Sequence, residues 1–245
     1  MREMGVRVVI TADDFGIAGA TSAVIVRLLR SGVLSSTSIM ACVNGALDDA
    51  ARHRDVLESR AGVHLQLSPS RFLSPANARL FKGLAARCRR YGNEGREALV
   101  LVEKEWRRQI EAVRKSIGSI THLDSHHGVH LEEPLLGVAE YLADEYSVAL
   151  RAPNGWNSGR VRQPVGEYTI GDWTLSGRSA ADLALEVSGV LTGEPVPRSI
   201  EIVTHPGIAD DELCDRSSAT TERETEIVEL FRLAVLLERA GLSRG

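Results

Sequence analysis

Short runs of β-branched and aliphatic residues alternate with longer stretches of helical periodicity along most of the chain. Residues 6–11 (Val-Arg-Val-Val-Ile-Thr) read as a strand, 20–30 as a helix stopped by Gly32, and 34–41 as a strand rich in serine and threonine. A second helix is expected over 45–59 and a strand, by alternation, over 62–67. The clearest helix covers 94–117, where Leu99, Val102, Trp106, Ile110, Val113 and Ile117 step by three or four, the spacing of one buried face. Gly118 follows as its stop. Strands at 120–124, 148–151 and 200–204 then alternate with helices at 134–146 (proline in the first turn) and 180–191. A last helix opens with Thr221 and Glu224 in capping-box spacing and runs to Gly241.

Strand-then-helix repetition predicts an α/β fold on a mainly parallel sheet, open or closed into a barrel. No G-x-G-x-x-G follows the first strand, so nothing points to a dinucleotide fold. Two segments, 68–90 and 154–178, lack clear periodicity and directly follow strands, where long loops often shape an active-site mouth.

The length, 245 residues, suits one α/β domain, and such a chain can bury a core without disulfides or a structural metal. A net charge of −4 with no basic stripe excludes nucleic acid as an expected partner; the cluster at 87–90 reads as a solvated helix face. Three scattered cysteines (Cys42, Cys88, Cys214) without a C-x-x-C pair suit reduced, mostly buried thiols and a cytoplasmic setting. The apolar stretch at 6–10 is too short for a signal peptide or a membrane span, so no membrane association is expected.

The polar residues closing each expected strand carry the chemistry: Asp13 and Asp14, His64, Asp124 with His126, His127 and His130, Arg151, and His205. In a parallel sheet all strand C-termini share one side, where ligands bind, so these distant residues are expected to converge. A carboxylate and two imidazoles from separate strands can hold Zn²⁺, Fe²⁺ or Mn²⁺ with positions left open for water. Adjacent strand residues point to opposite faces, but a chain that bends at its strand end can aim both aspartates at the mouth, one as ligand and one as general base. Asp124 reads as a partner that orients an imidazole, and His122 as structural. His205 is favoured as general acid, with a satisfied strand-end histidine as the alternative. His130 is open between substrate contact and packing. Trp156, Tyr168 and Trp173 share one loop and could stack on a sugar ring or simply anchor the loop.

Four blocks resemble the signature of the YdjC-like carbohydrate deacetylases, a family that includes the chitooligosaccharide deacetylases. They are Thr-Ala-Asp-Asp-Phe-Gly (11–16), Gly-Val-His-Leu-Gln-Leu (62–67), Thr-His-Leu-Asp-Ser-His-His-Gly-Val-His (121–130) and Thr-His-Pro-Gly (204–207). The resemblance implies a distorted (β/α) TIM-like barrel in a single domain and hydrolysis of an N-acetyl group from an amino sugar or short oligosaccharide. It also implies one divalent metal ion, Mg²⁺ or Zn²⁺, held at Asp14, His64 and His126, with Asp13 as base and Arg151 beside the base. One position departs: Gly128 stands where the family usually has a third histidine. Two other readings stay open, a metal hydrolase of another amide or ester on the same scaffold and a sugar-binding homologue without turnover. A homodimer is equally left open.

Overall fold

The computed structural model describes residues 6–67, 93–156, 161, 163–171, 173 and 176–242. Its strands are β1 (Arg7–Phe15), β2 (Ser36–Ile39), β3 (Ala61–Leu65), β4 (His122–Ser125), β5 (Ala149–Leu150), β6 (Tyr168–Ile170) and β7 (Ser199–Thr204). The helices are α1 (Gly19–Arg30), α2 (Ala46–Arg52), α3 (Arg54–Leu57), α4 (Asn93–Ile117), α5 (Leu135–Tyr146), α6 (Ala180–Thr192), α7 (Asp211–Cys214) and α8 (Thr221–Arg239), with a 3₁₀ segment at His126–Leu131. One seven-stranded sheet has the order β5-β4-β3-β2-β1-β7-β6. That is the cyclic order of a parallel barrel interrupted between β5 and β6, so the expected α/β fold with barrel-like strand succession is present.

Contacts divide the chain into two compact units, Met1–Thr37 with Ala152–Trp156 and Val165–Gly245, and Ser38–Arg151 with Asn157–Pro164. In the first unit β7 lies between β1 and β6, parallel to both, with Val8 opposite Ile200 and Ala12 opposite Thr204. Val8, Ile10, Ile25, Leu29, Leu183, Ile200, Ile202, Leu230 and Leu233 form its fully buried core, and α6 packs on α8. In the second unit β4 lies between β3 and β5, again parallel to both. Here α4 buries Val102, Trp106, Ile110, Val113 and Ile117 completely, against β3, α2 and α5.

Several boundaries differ from the sequence reading for local reasons. β1 runs on to Phe15 because Asp13 and Asp14 are themselves buried strand residues. The helix expected over 45–59 breaks at His53, whose φ of −112° and ψ of 21° are not helical. β6 was hidden in the loop expected at 154–178. The capping box expected at Thr221 and Glu224 is absent: the N-cap is Thr220, and Glu224 Oε1 instead accepts from the Ala209 amide. A capping box does form at Ser179 and Asp182, at the start of α6. Cys42 is buried as expected, whereas Cys214 is exposed. The segment at 68–90, with Cys88 and the basic cluster, lies outside the described residues. Among those described, no helix is long and apolar enough to cross a membrane.

Candidate active site

In the first unit the parallel pairing of β1 with β7 brings Asp13, Asp14 and His205 to one end of the two strands. Asp14 has a φ of +65°, a left-handed conformation rare for a residue with a side chain. The chain turns immediately, with the Ile17 amide donating to the Asp14 carbonyl at 3.0 Å. This is the bend required for two adjacent aspartates to escape strict alternation. His205 Nε2 lies 4.0 Å from Asp13 Oδ2, with Asp13 buried and the His205 side chain 15% exposed.

Arg223 of α8 donates through Nη2 to Asp14 Oδ2 at 2.6 Å, and both side chains are buried. The same turn of α8 supplies Glu226, whose Oε2 accepts from the His205 amide at 2.7 Å. Neither residue was picked out from sequence. Arg223 lies 209 positions from Asp14 and looks like any charged residue of an amphipathic helix. Gly207, in the Thr-His-Pro-Gly block, has a steric reason: a Cβ there would sit 2.9 Å from Thr21 Oγ1 and 3.3 Å from Arg223 Cδ.

In the second unit His64 of β3 faces Asp124 of β4 in register. His64 Nδ1 lies 2.8 Å from Asp124 Oδ1 and 3.0 Å from Ser38 Oγ. Complete burial would raise the Asp124 carboxyl, but Arg151 and His64 outweigh it and hold the group well below the usual carboxylate range. Arg151 Nη2 is 3.1 Å from Asp124 Oδ2, and His122 Nε2 is 3.7 Å from the same oxygen. An ionised Asp124 requires the His64 proton on Nδ1, which leaves the lone pair on Nε2. The His122 ring packs where a Cβ on residue 62 would be, 2.5 Å from its ring atoms, so only glycine fits there.

His126 opens the 3₁₀ segment right after β4, its ring centroid 5.5 Å from that of His64 at an interplanar angle of 74°. His127 and Gly128 both have positive φ, 57° and 62°, and turn the chain back toward the sheet. Glycine at 128 suits that backbone at no steric cost. His130 has no exposed surface. Its Nε2 lies 2.8 Å from the Arg151 carbonyl, Nδ1 is 2.5 Å from Ser125 Oγ, and its own amide donates to Ser125 Oγ at 3.0 Å. The pattern is self-consistent: Nε2–H donates to the carbonyl and the serine hydroxyl donates to Nδ1. Burial pushes His130 down to about 4, so it is neutral. Trp173 is also fully buried, and neither it nor His130 presents surface to a ligand. Trp156 is half-buried, its amide donating to the Pro153 carbonyl.

The first unit thus carries a strand-end aspartate pair, and the second a carboxylate-clamped imidazole with another imidazole just past β4. Residues 7–232 match the family described as YdjC-like protein, and the chain belongs to that family. It is 33% identical over 230 residues to a carbohydrate deacetylase of Oceanobacillus iheyensis, covering 90% of this chain and 94% of that protein. It is 29% identical over 218 residues to a chitooligosaccharide deacetylase of Klebsiella pneumoniae, covering 82% of each. Among solved structures, an Enterococcus faecalis V583 protein named for cellobiose-phosphate cleavage superposes with a TM-score of 0.78. It shares 25% identity, over 98% of this chain and 97% of that one.

Proposed function

We propose that the protein is a metal-dependent carbohydrate deacetylase that hydrolyses the N-acetyl group of an amino sugar or a short N-acetylated oligosaccharide. The observation that carries the reading is the His64–Asp124 pair, since a buried ionised carboxylate on Nδ1 presents Nε2 as a metal ligand. In this reading Asp14, His64 and His126 are the residues that would hold the ion, with Asp13, His64 and Asp124 as the rival donor set. The first set fits better, because Asp124 already serves His64 and Asp13 is then left for acid–base work. Two imidazoles among three donors favour a borderline ion such as Zn²⁺ over Mg²⁺, which prefers an all-oxygen shell.

When bound, the ion would polarise the acetyl carbonyl and make water more acidic, an effect worth several kcal/mol in such sites. Asp13 accepts the proton of the attacking water. His205, 4.0 Å from Asp13, delivers a proton to the departing sugar amine. Arg223 holds the Asp14 carboxylate through its Nη2, 2.6 Å away, and Arg151 keeps Asp124 ionised. Of the four residues offered for sugar contact, Trp156 and Tyr168 keep accessible surface. The deacetylases named above are relatives along most of the chain, which supports an N-acetylated sugar as substrate. A screen of acetate release across N-acetyl sugars, acetyl esters and simple amides tests the reading. Release from N-acetyl sugars alone is expected; release only from esters would replace it.

A further inference from the structure

We propose that the N-terminal two turns of α8 are a clamp on the ends of β1 and β7, with Arg223 as the positioning residue for Asp14. The inference rests on the assignment of Asp14 as a metal ligand. Arg223 and Glu226 are three apart and share one helix face, and both are buried, where charged side chains are rare without a task. Arg223 spreads its guanidinium over three acceptors: Nη2 to Asp14 Oδ2 at 2.6 Å, Nε to the Ala219 carbonyl at 3.1 Å, and Nη1 to the His205 carbonyl at 3.5 Å. Glu226 takes the His205 amide. One helical turn therefore holds the side chain of Asp14 and both backbone groups of His205.

The hold matters because Asp14 has left-handed backbone geometry, which costs about 1–3 kcal/mol and persists only where surroundings enforce it. A planar fork bonded on several sides fixes the carboxylate's rotation, which a point charge on a flexible stem does not. Charge and position make opposite predictions. Removing a cation beside a metal ligand should, by charge alone, tighten binding of another cation. If Arg223 acts by position, its removal weakens binding.

The test is Co²⁺ binding to the full chain, followed by visible absorbance and by competition with Zn²⁺, neither of which needs turnover. Arg223→Met is expected to weaken Co²⁺ by about 10–100-fold, the usual cost of losing a partner behind a ligand. Arg223→Lys, which keeps the charge on a single nitrogen but not the planar fork, is expected to recover part of that loss. Unchanged or tighter binding by Arg223→Met with a native circular dichroism spectrum would overturn the clamp. Should Arg223→Met fail to fold, Arg223→Lys decides: weaker binding than wild type supports the proposal and equal affinity overturns it. A wild-type chain that binds neither Co²⁺ nor Zn²⁺ would instead remove the metal-site reading, and the clamp with it.

Discussion

His64 and Asp124 face each other across neighbouring parallel strands, their Nδ1 and Oδ1 atoms 2.8 Å apart and both side chains shut away from solvent. Asp124→Asn keeps the shape but gives up the charge that fixes the His64 proton on Nδ1. Metal affinity should fall by about 10–100-fold, measured by calorimetric titration with Zn²⁺. Asp124→Ala goes further and takes a carboxylate away from the buried Arg151 guanidinium. Breaking a buried pair in this way costs about 3–5 kcal/mol, readable as a lower urea midpoint.

Asp13 and Asp14 are adjacent yet differ in their partners, so their variants should separate. Asp13→Asn is expected to lower turnover by about 10²–10⁴-fold, the usual worth of a general base, while retaining bound metal. His64→Ala should lose both metal and turnover. Metal content after gel filtration, set beside acetate release, checks the pair. An Asp13→Asn protein with normal rates would remove the base assignment.

His130 makes stability depend on pH. The folded group titrates near 4 and an ordinary histidine near 6.5, so between these values the unfolded chain binds more protons. The stability it contributes is complete above pH 6.5 and is lost as pH falls toward 4. A shift of this size corresponds to about 3 kcal/mol. Urea unfolding from pH 7.5 down to 4.5 should show a steeper decline for wild type than for His130→Gln, which has no proton to take up. Equal slopes would contradict the assignment.

Gly62 admits the His122 ring, and an added Cβ would stand 2.5 Å from its ring atoms. Gly62→Ala must therefore push His122, which sits beside Asp124, out of place. A loss of about 1–3 kcal/mol is expected, typical of overpacking in a filled interior, and measurable by urea denaturation.

What was legible in the sequence follows from what hydrophobic spacing can encode. The helix expected over 94–117 is found at Asn93–Ile117 because its apolar face is continuous and fully buried from Val102 onward. β7 was likewise clear from its run of aliphatic residues. β6 was not: three residues, Tyr168–Ile170, leave no period to detect. The ends of β1 escaped for a different reason, since Asp13 and Asp14 are carboxylates inside a strand and polarity argues against burial until partners are known. Arg223 and Glu226 show the same limit more sharply. Their role comes from a pairing of β1 with β7 and the return of α8, none of which a linear pattern records. The loss of exposed surface at Trp173 and His130 also depends on packing that residue type alone does not reveal.

The most direct test is acetate release from a short N-acetylated glucosamine oligomer by chelator-stripped protein titrated with Zn²⁺. The account predicts no release without metal and a rise that saturates at one ion per chain. Full activity in the stripped protein, unchanged by added Zn²⁺, would contradict it.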